Sequence, residues 1–532
     1  MSFAKESCQN RTRRTQRESR FTALVHVSVV FLVCVFAASS VFHARSAKTD
    51  GPDLVILNAK IFTGTGSKPR DGGIAIKDGR IVAVDKTYKI RDMMVRETKR
   101  IDARDRLVLP GFNDSHVHFD GIGNKFTSID LRTASNGDEI TKALSQSARY
   151  IPKNRWIQGG EWDVRLLGKG IPNRRILDAA TRENPILLYS SDPAIAVANS
   201  VALSRAGIRK GKTAPVGGSI DVDSEGIPTG VLRGTAILLV RGIQGRSSTF
   251  DTEEVLETAS NYAASLGVTS VQDMQSDDIA AVLKTLERDG KLKTRVYDCI
   301  ALKDFQKLAG KTALERGDTE MVRQGCLKSY AENEPSANIE LARMIADADK
   351  TGLQIMIHSI GKSANDSILD IFEETASRNG PRDRRSRIEH AYGFTRDRID
   401  ELDRNDIIAS IQPELFSGPQ PVKKMLKKKA RVAFGSDASI AEFNPLLGIF
   451  RSVTLGDEEE RISVAEAVRL YTAGSAFAEF QENEKGTIEK GKYADLVILS
   501  ENIFDIPAVQ ILQTEVEMTL VGGRIVFDAR VN

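Results

Sequence analysis

Two histidines that lie two residues apart are the first residues in this chain with an obvious chemistry. His116 and His118 follow residues 107–112, an apolar stretch that is typical of a short strand. Because side chains alternate between the two faces of a strand, Asp114, His116 and His118 are predicted to share one face. Two imidazoles on one face can bind one metal ion from one side. The spacing alone leaves the alternative of a loop with two solvated histidines.

The positions of the other histidines favour the metal site. The chain has six histidines, and two of them, His26 and His43, lie in or beside an apolar N-terminal segment. The last two, His358 and His390, each end a predicted strand, as the first pair does. Histidines with purely structural roles would not all fall at strand ends, so their shared position indicates metal ligands.

The elements that position these histidines have the pattern of a barrel. Short apolar strands alternate with helical stretches from about residue 260 onward. Counting the strand with the first two histidines, eight strands are predicted, at residues 108–118, 267–273, 295–297, 325–330, 354–358, 387–390, 407–411 and 431–437. Eight strand–helix units favour an α/β fold, a TIM-type (β/α)8 barrel, whose active site lies at the C-terminal ends of the strands.

Four further polar residues lie at or near the ends of these strands. Asp437 ends the eighth strand, where a carboxylate can bind a metal or accept a proton from water. Lys328, on the fourth strand, is either a site residue or a surface lysine, and its spacing alone favours the surface. Asp273 ends the second strand and is placed to orient a ligand. Glu389 is adjacent to His390, so strand alternation predicts that it faces away from the metal.

Both ends of the chain have the same β pattern. Residues 53–57 read Asp-Leu-Val-Ile-Leu, and residues 495–499 repeat them. Short β segments at either end have difficulty burying separate cores, so one composite β-sandwich is predicted. The predicted domains are a signal peptide or membrane anchor (1–44), the sandwich (53–105 with 482–532), a metal-dependent hydrolase barrel (106–119 with 260–480) and an inserted subdomain (120–259).

The N-terminal segment predicts export from the cytoplasm. Residues 1–20 carry a formal charge of +4, so the whole-chain charge of +3 leaves −1 for the remainder. Residues 21–42 are uncharged and mostly apolar, as in a signal peptide or a membrane-spanning helix. We therefore expect a protein that is secreted, periplasmic or anchored in a membrane through this segment. The nearly neutral remainder gives no argument for binding nucleic acid.

Cysteine usage gives no disulfide framework. Cys8 and Cys34 lie in the N-terminal segment, which leaves only Cys299 and Cys326. One bridge in an oxidising compartment is an alternative, but two buried free thiols are the favoured prediction.

Seven ordered motifs resemble the amidohydrolase superfamily. The stretch Leu-Pro-Gly-Phe-Asn-Asp-Ser-His-Val-His at 109–118 is similar to the first-strand signature of that superfamily. The other motifs resemble its amidohydrolase-3, or YtcJ-like, branch, which includes the plant long-after-far-red relative. They lie at residues 160–163, 198–203, 267–274, 357–361, 387–391 and 434–437. The resemblance extends from residue 53 to the end of the chain.

The resemblance implies a zinc-type site with one or two divalent ions. The ligands that it implies are His116, His118, His358, His390 and Asp437. It also places Lys328 where the superfamily sometimes has a carboxylated lysine that bridges two metals. The chain departs from the family directly after this lysine, where Ser-Tyr-Ala-Glu-Asn-Glu replaces the usual Phe-x-Asp-Gly-Ser and a longer loop. That departure leaves the substrate class open.

The predicted function is hydrolysis of carbon–nitrogen bonds in non-peptide amides or N-acyl compounds by a metal-activated water. Asp437 would act as general base and then as general acid. We expect a small-molecule substrate, no nucleic acid, membrane contact only through the N-terminal segment, and either a monomer or a homo-oligomer. One alternative is a deaminase on the same barrel. A deaminase would require a glutamate shortly after His358, and the sequence has none there. Another is a catalytically lapsed metal-binding protein with a regulatory role, which the altered stretch after Lys328 supports.

Overall fold

A computed structural model describes residues 51–531, apart from 128, 149–150, 152, 164–170, 245–251, 275–278, 395–396 and 416–420. The predicted export segment, residues 1–44, lies outside the described residues. Among the helices that are described, none combines the length and the apolar character needed to cross a bilayer. All elements discussed below belong to one compact unit, Asp53–Met93 with Lys99–Asn532.

Eight parallel strands form the barrel that carries the predicted ligands. They are Phe112–Val117, Val268–Asp273, Arg295–Ala301, Val322–Tyr330, Gln354–Ile360, Arg387–Tyr392, Ile408–Ile411 and Arg431–Phe434. Each strand pairs with the next along the chain, and a bridge between Val117 and Ala438 joins the last to the first. The strands are mostly buried, as in sheets covered by helices. The predicted TIM-type barrel is thereby confirmed.

Helices surround the barrel and bury their apolar faces on it. Residues such as Leu283, Ile345 and Leu369 belong to one core with the barrel strands, and each buried side chain of this kind contributes about 1.5–3 kcal/mol. The helices next to the barrel in the chain are Phe119–Thr127, Thr252–Ser265, Ala280–Arg288, Ile339–Asp349, Lys362–Asn379, Ile399–Arg404, Val422–Lys427, Pro445–Thr454 and Val464–Arg469.

Strands from both chain ends share a second sheet. Leu496–Leu499 pairs antiparallel with Leu107–Pro110, which joins the C-terminal strands to the N-terminal ones. The strands of this sheet are Leu54–Ile61, Arg70–Lys77, Arg80–Asp85, Lys99–Asp102, Leu107–Pro110, Leu496–Leu499, Val516–Val521 and Arg524–Asp528. The sandwich form of this unit and the domain boundaries stay predictions.

The predicted strand at 108–118 is two strands, so that prediction was wrong. Leu107–Pro110 lies in the terminal sheet, and Phe112–Val117 is the first barrel strand. Gly111 separates them at a point where a Cβ atom would overlap the side chain of Thr269. Only glycine fits there, and Pro110 has no N–H to continue a ladder. The apolar run therefore passes from one sheet to the other at this dipeptide.

A third sheet lies within residues 129–234, in the stretch predicted to be an inserted subdomain. Its strands are Ile129–Asp130, Ile157–Trp162, Ile186–Ser190, Ile195–Ala198, Gly218–Val222 and Pro228–Gly234. Helices Gly137–Ala148 and Arg174–Ala180 contribute Leu144 and Leu177 to a core with these strands. Whether this region is a separate subdomain stays a prediction.

Cys299 and Cys326 form a disulfide bond between the third and fourth barrel strands. The prediction of two free thiols was therefore wrong. The two residues are direct partners in the parallel register, and their Cα atoms lie 4.6 Å apart, within reach of a disulfide. The register between two strands cannot be derived from the sequence of either one.

Candidate metal centre

The densest group of metal-ligating atoms joins the first and eighth barrel strands. His116, His118 and Asp437 each offer one ligand atom, and these atoms lie within 4.8 Å of one another. Asp437 Oδ1 is 3.4 Å from Nε2 of His116 and 3.4 Å from Nε2 of His118. Within the part of the chain that the structure describes, no other three His, Cys, Asp or Glu side chains are grouped in this way.

Backbone hydrogen bonds across the closing seam of the barrel hold these candidate ligands together. The Asp437 N–H donates to the His116 carbonyl at 2.8 Å, and the His118 N–H donates to the Ala438 carbonyl. Asp437 has a φ of 60°, in the left-handed region that non-glycine residues seldom adopt. Such strain is common where a fold holds a functional side chain in place.

Two buried aspartates fix the loops around the ligands. Asp114 Oδ1 accepts hydrogen bonds from the N–H groups of His116 and Ser436, both at 3.0 Å. Asp273 Oδ1 accepts one from the Phe119 N–H at 3.0 Å. Asp273 therefore contacts the backbone that follows His118, and its orienting role stays a prediction. Asp114 links the first strand to the eighth in the same manner.

The donor set fits a divalent cation. Asp437 Oδ1 is buried and has no hydrogen-bond partner among the described residues, a costly state for a carboxylate oxygen. Burial raises the pKa of Asp437, but the hydrogen-bonding contact with His118 and the electrostatic effect of the neighbouring His116 and His390 outweigh burial and lower that pKa. Burial lowers the pKa of His116, against the opposing effect of Glu389. Carboxylate oxygens and imidazole nitrogens are the ligands that zinc-like ions bind.

His358 and His390 lie beside this group, at the ends of the fifth and sixth strands. Their ring centroids are 4.4 Å apart, and the His390 ring is 4.8 Å from that of His116. His390 Nδ1 lies 4.0 Å from Asp437 Oδ2. Burial, and then neighbouring positive charge, lowers the pKa of His358 to about 4 and that of His390 to about 3. Both rings are therefore neutral at pH 7 and can offer a lone pair.

Lys328 is buried beside the same histidines, so the surface position that its spacing alone favoured is wrong, whereas its assignment to the metal site stays a prediction. The residue is 4% exposed, and burial lowers its pKa to about 8. Its Nζ lies 4.2 Å from the centre of the Tyr330 ring, which is 5.2 Å from the His358 ring. No carboxylate forms an ion pair with Lys328 among the described residues. Tyr330 belongs to the stretch in which the chain departs from the family pattern.

Glu389 faces the metal centre, contrary to the prediction from strand alternation. Its Oε2 lies 2.6 Å from Nδ1 of His116. The alternation breaks because His390 and Ala391 have φ values of 72° and 47°, which turn the end of the strand. The sequence contains one signal for this role, because Arg387, two residues earlier, is predicted to share the face of Glu389.

The barrel and the histidine–aspartate group at its C-terminal edge define the architecture of a metal-dependent hydrolase. The model of the Amidohydrolase family matches residues 99–527. The chain belongs to the amidohydrolase family, and the predicted YtcJ-like branch is confirmed by its relatives.

Three curated relatives match most of the chain. LONG AFTER FAR-RED 3 of Arabidopsis thaliana is 30% identical over 89% of this chain and 91% of its own length. Putative amidohydrolase YtcJ of Bacillus subtilis is 27% identical over 88% of this chain and 98% of its own length. N-substituted formamide deformylase of Arthrobacter pascens is 24% identical over 88% of this chain and 97% of its own length.

A solved structure supports the metal-dependent class. The uncharacterized metal-dependent hydrolase from Pyrococcus furiosus is 25% identical and superposes with a TM-score of 0.70, covering 85% of this chain and 100% of that chain. A zinc-bound adenosine deaminase from Xanthomonas campestris, 14% identical with a TM-score of 0.53, shares the fold over 90% of this chain and 94% of its own.

Proposed function

We propose that this protein is a metal-dependent hydrolase of carbon–nitrogen bonds in non-peptide amides or N-acyl compounds. The observation that carries the proposal is the buried Asp437 Oδ1, which lacks a hydrogen-bond partner among the described residues and faces Nε2 of both His116 and His118. The relative named as an N-substituted formamide deformylase supports an amide-type substrate.

The residues that would hold the metal are His116, His118 and Asp437, with His358 and His390 beside them. Zinc suits this set, as one ion or two, because imidazole and carboxylate are its usual ligands in catalytic sites. The bound ion would supply a Lewis acid for the substrate carbonyl and would lower the pKa of water.

Asp437 is the residue that moves the proton. Its two oxygens have different surroundings, since Oδ1 faces His116 and His118 whereas Oδ2 faces His390. Water adds to the acyl carbon, and its proton passes to Oδ2, the oxygen turned away from the first two histidines. The same proton then moves to the amide nitrogen as the carbon–nitrogen bond breaks, giving a carboxylic acid and an amine.

The test combines metal analysis with a substrate screen on the full chain. N-substituted formamides, N-acyl amino acids and simple amides are offered to the wild type and to Asp437→Ala. We expect turnover of at least one class and a loss of about 10²–10⁴-fold in Asp437→Ala, the range for a general acid–base residue. Full turnover by Asp437→Ala would overturn its role.

Two other outcomes would replace the proposal. Bound metal without turnover of any substrate class would favour the catalytically lapsed protein. Release of ammonia from an aminopurine, without amide cleavage, would favour the deaminase. The deaminase has less support, because no glutamate closely follows His358 in the sequence, and Glu389, which hydrogen-bonds to His116, is held by Arg387.

We also propose that the protein is exported, either secreted or periplasmic after cleavage or anchored through residues 21–42. Support comes from the basic and apolar pattern of the first 44 residues and from the disulfide between Cys299 and Cys326, a bond that persists in oxidising compartments. Cell fractionation and N-terminal sequencing test the proposal. Recovery in the cytosol with an intact N-terminus would contradict it.

A further inference from the structure

We propose that Glu389, clamped by Arg387, is the positioning residue that fixes the His116 ring with Nε2 turned toward the metal centre. This inference rests on the proposed function, because it assumes that His116 binds a metal. Glu389 Oε2 lies 2.6 Å from His116 Nδ1, and all three side chains are almost completely buried. The positioning role of Glu389 is inferred from this contact and from the burial of the three side chains.

The contact determines which nitrogen of His116 can bind a metal. A carboxylate at Nδ1 makes that nitrogen the N–H donor, so Nε2 keeps the lone pair. Nε2 is also the atom that lies 3.4 Å from Asp437 Oδ1. A carboxylate behind a ligating imidazole fixes its orientation and makes it a stronger ligand.

Glu389 is itself held on two sides by Arg387. The guanidinium donates from Nε to Oε1 at 2.7 Å and from Nη2 to Oε2 at 3.0 Å. This bidentate geometry leaves the carboxylate a single orientation in the plane of the guanidinium. Glu389 Oε2 is therefore already placed to accept a hydrogen bond from His116 Nδ1, and the Glu389 side chain does not have to change its rotamer.

Arg387 is fixed in turn by neighbouring barrel strands. Its Nη2 donates to the Ser115 carbonyl at 2.6 Å and to Ser410 Oγ at 3.2 Å, and its Nη1 donates to Gln272 Oε1. Gln272 Nε2 donates to the Ser475 carbonyl at 2.8 Å. The clamp thus spans the first, second, sixth and seventh strands and the segment after the barrel. Support of this kind holds a ligand to within a fraction of an ångström.

His390, at the end of the sixth barrel strand, has a neutral side chain, Gln412, where His116 has Glu389. His390 Nδ1 lies 2.8 Å from Gln412 Oε1, and the Gln412 amide donates to the Ser410 carbonyl at 3.3 Å. A glutamine orients an imidazole but adds no negative charge behind it. We therefore expect the contribution of Glu389 to metal affinity to exceed that of Gln412.

A metal titration of the full chain tests the role of Glu389. Wild type, Glu389→Gln and Gln412→Leu are stripped with a chelator, and Zn²⁺ is titrated against a chromophoric competitor. We expect Glu389→Gln to raise the Kd for Zn²⁺ by about 10–100-fold, as for other carboxylate partners of ligating histidines. Gln412→Leu should raise it less. The absorption spectrum of the Co²⁺-loaded protein should change in Glu389→Gln, because the His116 ring is released.

Asp495→Asn is the matched control. Asp495 is also a buried carboxylate held by a bidentate arginine, Arg295, with the same distances of 2.7 and 3.0 Å. It has no histidine partner among the described residues, so its variant should lose stability and keep the wild-type Kd for Zn²⁺. If Glu389→Gln does not fold, Arg387→Lys keeps the cation and removes the bidentate clamp, and its Kd should rise by several-fold.

The outcomes separate this inference from the proposed function. Zn²⁺ binding by wild type with unchanged Kd and Co²⁺ spectrum in folded Glu389→Gln, or in folded Arg387→Lys, would overturn the positioning role alone. An equal loss of affinity in Asp495→Asn would also overturn it, because the effect would then be structural. Absence of Zn²⁺ binding by wild type would overturn the proposed function and the inference together.

Discussion

Two buried arginine–carboxylate pairs in this protein have the same geometry and different third partners. Arg387 and Glu389 lie beneath the metal centre, and Arg295 and Asp495 join the third barrel strand to the terminal sheet. In both pairs the guanidinium donates at 2.7 and 3.0 Å. The carboxylate of Glu389 also contacts His116, whereas that of Asp495 accepts from the Gly522 N–H at 2.8 Å. The third partner, rather than the ion pair, distinguishes a positioning role from a structural one.

The largest expected effect comes from breaking the structural pair. Asp495→Ala leaves the Arg295 charge buried and uncompensated, which should lower the free energy of unfolding by about 3–5 kcal/mol. Denaturant unfolding followed by circular dichroism measures the loss. A loss of unfolding free energy below about 1 kcal/mol would show that the pair does not hold the terminal sheet to the barrel. The Arg295–Asp495 pair would then have no structural role to compare with that of Arg387 and Glu389.

The disulfide is a covalent counterpart to this pair on the same third strand. Cys299→Ala with Cys326→Ala removes a crosslink that spans 27 residues, and we expect a loss of about 2–4 kcal/mol. The free energy of unfolding of the double variant, compared with that of the wild type under non-reducing conditions, gives the value. Free thiols detected in the unfolded wild type without reductant would contradict the presence of the bond.

Acid should weaken the Arg295–Asp495 pair in a defined direction. Burial raises the pKa of Asp495, but the charge of Arg295 and its hydrogen bonds outweigh burial and lower that pKa in the folded state. The resulting stability is complete above the ordinary aspartate pKa and is lost as the pH falls through the folded-state value. Each unit by which the pKa is lowered corresponds to about 1.4 kcal/mol.

Unfolding measured from pH 6 to pH 2 tests this expectation. The wild type should lose more stability on acidification than Asp495→Asn, which has no carboxylate to protonate at that position. If the free energy of unfolding falls equally with pH in the two proteins, the Arg295–Asp495 pair does not contribute to the loss of stability in acid.

The smallest expected effect concerns a buried cation without a carboxylate partner among the described residues. Lys328 has the ring of Tyr330 at 4.2 Å where the two arginines have carboxylates. Tyr330→Ala should lower the free energy of unfolding by about 0.5–1 kcal/mol, the value of a cation–π contact at a half-exposed site. Tyr330→Phe keeps the ring face and serves as the control. Equal losses in both variants would assign the effect to the hydroxyl instead.

The sequence predicts the barrel and its ligands because both have a periodic signal. Eight apolar strands recur at regular intervals, and His116, His118, His358 and His390 lie at the C-terminal ends of three of them. Parallel strands bring such ends to one edge, so the three-dimensional cluster follows from one-dimensional positions. The break at Gly111 was missed because two consecutive strands of different sheets form one apolar run.

Three features depend on geometry that no local pattern encodes. Glu389 and His390 both face the site, although they are consecutive, because His390 and Ala391 adopt positive φ and turn the end of the strand. Cys299 meets Cys326 because of the register between two parallel strands. Lys328 is buried because its neighbours close over it, although a lysine at a strand end is ordinarily exposed. In each case a tertiary contact overrides the local expectation.

The metal content of the purified protein tests the central claim most directly. We predict one or two equivalents of a divalent metal per wild-type chain, with zinc as the expected ion, by elemental analysis. Asp495→Asn should keep that content, and His116→Ala, which removes an Nε2 that lies 3.4 Å from Asp437 Oδ1, should lose most of it. A wild-type protein without metal, or a folded His116→Ala variant with full metal content, would contradict the account.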